Sequence, residues 1–410
     1  MLLSLLPLAI AHGDGFSSAA VAIHSDAPEQ IWLLTEQWGL GRTADGGETW
    51  EWLCEEALGV ENIYGILATA PGEVVLATRT GLRRVAADCT GSAIAGLPEE
   101  LFVPGVTAYG AGFLAMGFGT DEGGLWACTL GGCTPSELMG AGVFPKSVLA
   151  DGARVWATVV YVEGLASELW RSDDGMAWTR VHAWEAGDTD PRVLYAKGNR
   201  LLVWRRTRTA DDAPRLLVSD DGGESFRAVL TDGYYTDQVP ALLVLDGVML
   251  LGSEAGARTW RSEDGGDNWT DVRDEVPAVR CATTVGGVGW ACGDHLFDGF
   301  DLSRTEDGRT WVPVACLEEA FPSTCSAPTC DPLLSAYLTA STEGGGKCDT
   351  IILPPELAVV EESEVPCGCE GGGGAAGLLV LLAGWRGVRV RRALRAWPRV
   401  VGRTAARPAA

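Results

Sequence analysis

Three groups of side chains in this sequence have types and spacings that could do chemistry. The first is a set of carboxylates in turn-like segments: Glu36; Glu55 and Glu56; Glu99 and Glu100; Asp121 and Glu122; Glu185, Asp188 and Asp190; Asp232 and Asp237; and Asp294. Two carboxylates held about 5 to 10 Å apart can hydrolyse a glycosidic bond, one as acid and one as base or nucleophile. The same residues are what any acidic protein places in solvated loops. Trp38, Tyr234 and Tyr235 lie among them and offer rings to a ligand. The second group is Arg205, Arg206 and Arg208. Strand alternation puts Arg206 and Arg208 on one side and Arg205 on the other. Such guanidinium groups bind a carboxylate ligand or pair with nearby acids. These six residues are the ligand-binding candidates; no catalytic residue is nominated. The third group is the 12 cysteines. Their spacing suits disulfides better than metal, which needs paired C-x-x-C units or His ligands. The chain has only four His, widely scattered, so no metal or other cofactor is expected. Walker loops, H-E-x-x-H and G-x-S-x-G are absent.

The scaffold that carries these groups follows from a repeat. Arg42-Thr-Ala-Asp45-Gly-Gly-Glu-Thr-Trp50 returns as Arg171-Ser-Asp-Asp174-Gly-Met-Ala-Trp178 and as Val218-Ser-Asp-Asp221-Gly-Gly-Glu-Ser-Phe226. It returns again around Asp264, ending at Trp269, and around Asp307, ending at Trp311. The five aspartates are separated by 129, 47, 43 and 43 residues. The first gap is three periods, so degenerate copies belong near Asp88 and Gly131. Seven units therefore run from about residue 17 to 316. Each reads as four short strands. In the sixth they are residues 241–245, 248–252, 257–262 and 268–272, separated by Gly and Asp turns. No segment keeps a helical period. Four strands per unit, repeated radially, predict an all-β, seven-bladed β-propeller of four-stranded blades. In each repeat, the Asp accepts backbone N–H groups one or two residues on, the Ser or Thr adds a local bond, and Gly takes a left-handed turn position. The closing aromatic lands on the next strand and wedges into the core. Asp45, Asp174, Asp221, Asp264 and Asp307 are thus assigned structural roles.

These repeats resemble Asp-boxes, also called BNR repeats. Asp-boxes occur in sialidases, some glycoside hydrolases, the sortilin-type receptor domain and photosystem II assembly factors. The resemblance implies the propeller fold and says almost nothing about activity. A sialidase-type site needs an Arg triad from different blades, an early Arg-Ile-Pro motif and a Tyr–Glu pair. Arg-Ile-Pro is missing, and Arg79 is the one Arg in an early second-to-third-strand loop. The expected function is a non-enzymatic recognition or scaffold module for a protein or glycan ligand; the alternative is a secreted glycan-active hydrolase using rim carboxylates.

Several features point to export. Residues 1–11 end in Ala9-Ile-Ala11 after an apolar run, the pattern of a signal peptide. Disulfides persist outside the cytosol. Cys128 and Cys133 flank the third hairpin turn, and Cys281 and Cys292 flank a turn in blade seven. Cys54 and Cys89, in neighbouring blades, are further disulfide candidates. Cys316, Cys325, Cys330 and Cys348 cluster later, with open connectivity. The organisation expected is a signal peptide (1–11), a propeller (12–316), a Cys-containing acidic stalk (317–366) and a sorting segment (367–410). In the last, Cys367 and Cys369 precede a Gly run, an apolar run from Ala375 and an Arg cluster from Arg386. This resembles the C-terminal sorting signals of myxobacterial surface proteins, and implies processing and anchoring at Cys367 or Cys369. The net charge of −24 excludes nucleic acid and anionic membrane as partners of the folded part, leaving membrane contact to the C-terminal segment. A monomer at the outer surface or outside the cell is expected. Intact-mass analysis of the protein from its native host should find a start near His12 and a missing Arg-rich tail. A mature chain still ending at Ala410 would rule out the sorting signal.

Overall fold

Short apolar runs broken by Gly and Asp turns have few ways to bury both faces of every strand. The computed structural model of the chain describes residues 18–315, except 36–38, 100, 120–121, 162–165, 185–187, 208–214, 231–239, 253–257 and 294–297, together with 320–322 and Cys330. They form seven antiparallel sheets, each of four strands consecutive in sequence. These are blades one to seven, at 18–53, 63–93, 102–140, 143–184, 188–230, 241–271 and 282–315. The protein is an all-β, seven-bladed propeller. Blade six has strands at Ala241–Leu245, Val248–Gly252, Thr259–Ser262 and Thr270–Asp271, close to the sequence expectation. The helix Glu55–Leu58 is a single turn that stops at Gly59, whose φ of 64° is left-handed. The expected signal segment (1–11), most of 317–366 and the whole of 367–410, including Cys367 and Cys369, lie outside the described residues.

The core is partitioned between blades. Each second strand buries both of its faces. In Glu73–Thr78, Val74 and Leu76 pack toward blade one while Val75 and Ala77 pack toward blade three. In Arg200–Thr207, Leu201 and Val203 face blade four while Leu202 and Trp204 face blade six. Period-two alternation with both sides dry explains why these strands read as continuous apolar runs. One apolar layer lies at every blade junction, including that between blades seven and one.

The chain enters each blade at the inner strand and works outward, so antiparallel pairing puts the third-to-outer-strand hairpins on one face, here the lower. The Asp repeats are these hairpins. The hydroxyls of Thr43, Ser172, Ser219, Ser262 and Thr305 accept the N–H of Gly47, Gly175, Gly223, Gly266 and Gly308 at 2.8–3.0 Å. Each also donates to the following Asp carboxylate. That carboxylate accepts backbone N–H groups two to four residues on, farther along than the sequence reading assumed. Donors hold all five carboxyls below the ordinary range. The Thr49 hydroxyl leads at Asp45, the Ser225 hydroxyl at Asp221, the Ala177 amide at Asp174 and the Asn268 amide at Asp264. Asp307, led by the Thr310 amide, falls to about 2. Blade two keeps a reduced version, with Asp88 accepting from Thr90. Blade three has no Asp in this turn; the Cys128–Cys133 disulfide crosses the same strand pair instead.

The hairpins also join blades. Gly223 adopts a φ of 92°, and a Cβ there would stand 2.5 Å from Leu169 of blade four. Glycine is required twice over, for its backbone angle and for the close approach. The aromatic that closes each repeat sits against the preceding blade: Trp50 with Trp290 and Leu302, Phe226 with Trp156 and Leu169, Trp311 with Leu243 and Leu250. The Trp50 indole N–H donates to the Val314 carbonyl at 3.2 Å.

Ring closure uses chain beyond the seventh blade. Phe321–Pro322 adds a fifth, parallel strand to the outer strand of blade one. Cys54 bonds Cys330 across 276 residues. Cys54 and Cys89 therefore do not pair with each other. Cys54 follows the outer strand of blade one at the upper face, whereas Cys89 lies in the lower-face hairpin of blade two, and is itself disulfide-bonded. Cys281 bonds Cys292 within blade seven.

Two outcomes follow. In the chain-entropy account, the long Cys54–Cys330 loop contributes about 5 kcal/mol and the short Cys128–Cys133 loop about 2. Urea midpoints should therefore fall much further for Cys54→Ser with Cys330→Ser than for Cys128→Ser with Cys133→Ser; equal losses would contradict a ring-closing role. The second concerns acid. A carboxyl with a depressed folded pKa stabilises above its unfolded value, near 4, and loses that contribution as pH falls through the folded value. Urea midpoints should fall steeply between about pH 4 and 2, and Asp307→Asn should flatten part of that slope. An unchanged slope in the variant would show that the hairpin carboxylate contributes nothing.

Candidate functional site

Each blade turns its second-to-third-strand loop and its link to the next blade toward the upper face, opposite the Asp hairpins. Inner strands begin there and second strands end there. Four aromatic residues occupy such positions: Tyr64 and Phe102 near the starts of the inner strands Ile63–Ala70 and Phe102–Tyr109, Phe118 at the end of Gly112–Phe118, and Phe144 near the start of Val143–Asp151. Their rings form a continuous ridge over blades two to four. Tyr64 meets Phe102 edge-on at 4.6 Å; Phe102 meets Phe118 at 5.5 Å and Phe118 meets Phe144 at 5.2 Å, both tilted. Tyr64 is 45% exposed and the other three are half-buried. Edge-on and tilted pairs at these distances stabilise one another, so the ridge is partly preorganised.

The ridge runs into a charged corner. Two residues beyond Phe144, Lys146 places its ammonium 2.9 Å from the Asp190 carboxylate of blade five. Arg192 approaches the same oxygen at 3.9 Å. Asp190 has a φ of 67°, uncommon for a residue with a side chain. Cross-blade bonds fix this corner: Ser147 Oγ accepts the Val193 N–H at 2.8 Å, and the Thr158 hydroxyl donates to the Pro191 carbonyl at 2.6 Å.

The sequence candidates are placed as follows. Arg205 is half-buried in Arg200–Thr207, opposite Arg215. Arg206 lies opposite Thr189, at the same end of blade five as Asp190 and Arg192. Trp38, Arg208, Tyr234 and Tyr235 lie outside the described residues, as do Glu36, Glu100, Asp121, Glu185, Asp232, Asp237 and Asp294. Glu55 lies in the link from blade one to blade two, and its carboxylate accepts the N–H groups of Asn62 and Ile63, tying helix to strand. The aromatic ridge escaped the sequence reading. Its members are spread over some 80 residues in three blades, and only their shared position at strand ends would have linked them.

Two other clusters of charged side chains are paired within the fold. Buried Glu168 accepts from Arg180 at 2.8 Å and from the Trp170 indole at 3.1 Å. Burial first, and then the Glu168 charge, push the neighbouring Tyr161 phenol up to about 12, so it stays protonated at neutral pH. On the lower face, Arg200 and Arg227 share Asp220 and Asp267 across blades five and six. The lower mouth of the central channel holds a cavity of about 610 Å³ lined by small residues such as Ala68, Ala108, Gly110 and Gly286. Among the described residues no cluster of His, Cys, Asp or Glu could hold a metal ion.

No protein-family model and no curated protein matches the sequence. Solved structures do match. Hydrazine synthase of Kuenenia stuttgartiensis superposes with a TM-score of 0.51 at 9% identity, covering 76% of this chain and 100% of that one. YCF48 from Cyanidioschyzon merolae gives 0.47 at 16% identity over 68% of this chain and 92% of its own. PorZ, a surface component of the type-IX secretion system of Porphyromonas gingivalis, gives 0.48 at 14% over 74% of this chain and 39% of its own. At these identities the likeness is one of fold.

Proposed function

We propose that the protein is an exported, surface-displayed Asp-box propeller that acts as a non-enzymatic recognition module through its upper face. The observation that carries this is the ridge Tyr64–Phe102–Phe118–Phe144. Aromatic surface on an ordered scaffold gives large contact area at low entropic cost, the currency of recognition. Three described disulfides support an oxidising compartment. The Ala9-Ile-Ala11 segment and the Cys367 and Cys369 tail supply entry to the secretory route and an anchor. The ligand is a protein or glycan, and the module works as a monomer.

The hydrolase alternative requires a carboxylic acid kept protonated near neutral pH. Among the described residues, the aspartates whose pKa moves all move down, because donors surround them. Glu55 and Glu168 are committed to structural partners. Purified full-length protein, screened on sialosides and plant polysaccharides, should show no turnover. Robust turnover that disappears in Asp188→Asn or in another single rim-carboxylate variant would overturn the proposal.

A further inference from the structure

On the face opposite the ridge, the cavity of about 610 Å³ at the lower channel mouth falls within the roughly 300 to 1,000 Å³ typical of small-molecule sites. We propose that it binds a small, uncharged, largely apolar molecule that presents one acceptor oxygen to His24. The site is separate from the recognition surface proposed above and does not depend on it.

Three observations carry it. The first is charge. The chain has 55 acids and 31 Lys and Arg, yet none of the described residues that line the cavity is an acid, Lys or Arg. The lining comes from the inner-to-second-strand hairpins of blades seven, one, two and three, and from Leu130. The matching hairpins of blades four and five carry Asp151 with Arg154 and Lys197 with Arg200, so charge is ordinary at this level of the ring. Asp26, next to Ser25, is exposed, and Glu73, bonded to Thr69, is paired with Arg84. An ion entering the cavity would lose water and meet no opposite charge in its walls, which is strongly unfavourable.

The second is hydrogen bonding. The Asp26 N–H donates to His24 Nδ1 at 3.2 Å, which puts the ring proton on Nε2. The three hydroxyls of the lining spend their protons on protein acceptors: Ser25 on the Asp26 carboxylate at 3.4 Å, Thr69 on Glu73 at 2.8 Å and Thr284 on the Val244 carbonyl at 2.6 Å. His24 is thus the side-chain donor among the described lining, and every other side chain there is Ala, Val, Leu, Ile or Phe. A single donor in an apolar wall orients an apolar ligand by one polar atom.

The third is a break in the repeat. Trp170 and Trp260 lie four residues before Asp174 and Asp264, and four residues after Trp126 stands Leu130. An apolar side chain takes the place of the hairpin carboxylate, and Cys128 takes that of the hydroxyls of Ser172 and Ser262. The Cys128–Cys133 disulfide restrains the hairpin in their stead, and Leu130 lines the cavity. At 39% exposed, it is one of three exposed large apolar side chains among the described residues, and a ligand in the cavity would cover it.

The probe is prodan, a neutral naphthalene ketone whose emission moves to the blue in apolar surroundings, titrated with the full chain. One saturable site with a blue shift is expected. A trimethylammonium derivative of prodan and the anionic probe anilinonaphthalene sulfonate should each bind about tenfold more weakly or worse, the cation in spite of the acidic chain. Leu130→Asp, at an exposed position, and Ala108→Trp, which fills the cavity from an inner strand, should each weaken prodan about tenfold or more. His24→Phe should weaken it several-fold by removing the donor. Thermal midpoints report whether each variant keeps its fold, and either cavity variant suffices where the other does not fold. No saturable prodan binding, charged probes bound as tightly as the neutral one, or prodan binding unchanged in the folded cavity variants would overturn the proposal. So would prodan lost in Phe118→Ala with Phe144→Ala and kept in the cavity variants, which would put the probe on the ridge.

Discussion

Every blade of this protein has two apolar faces and can hide neither alone. That constraint governs the rest of the molecule. A four-stranded sheet with Val74 and Leu76 on one side and Val75 and Ala77 on the other is stable only between two others of its kind. Repetition solves the problem for the middle blades and leaves it open at the ends, where the ring must close. Closure requires Ile31, Leu33 and Trp52 of blade one to meet Trp290 and Leu302 of blade seven. Among the described residues no strand is exchanged between the first and last blades. The junction is instead reinforced from outside, by the parallel strand Phe321–Pro322 and the Cys54–Cys330 disulfide. A disulfide placed here restrains the separation of the two chain-terminal blades that would expose both apolar faces.

The aspartate hairpins act at the other end of the same blades. Each satisfies its own turn with a hydroxyl and a carboxylate, so the backbone polar groups of an exposed hairpin have fixed partners. Each also sends an aromatic into the neighbouring interblade layer. The hairpin thus couples local turn geometry to the spacing between sheets, and Gly223 and Gly266, with no room for a Cβ, set how close the blades come. Blade three, with no aspartate in this turn, carries a disulfide across the same hairpin strands, so a different bond restrains the same pair.

The aspartate hairpins are committed to stability on the lower face, and the aromatic ridge stands on the upper one. The aromatic ridge and the Lys146–Asp190–Arg192 corner stand on the ends of ordered strands, so their backbone positions are already fixed, which would lower the ordering cost of any binding there.

The architecture is legible in the periodicity of the chain alone. Asp45, Asp174, Asp221, Asp264 and Asp307 recur with a period because each blade must rebuild the same hairpin, and a local motif of turn and aromatic is readable wherever it occurs. Cys128 with Cys133 and Cys281 with Cys292 were legible for the same reason, since a hairpin places its two sides opposite each other. Cys54 was not, because its partner Cys330 becomes a neighbour only once seven blades have turned the chain full circle. At Glu55 the rim carboxylate is taken up by the backbone amides of Asn62 and Ile63, a bond that the link's conformation and not its composition decides. The ridge was invisible for a related reason. Tyr64, Phe102, Phe118 and Phe144 share no motif and no period, and they converge because antiparallel strands in three blades start or stop at one face. Local bonding leaves its mark in sequence; a site assembled from the ends of separate blades exists only in the closed ring.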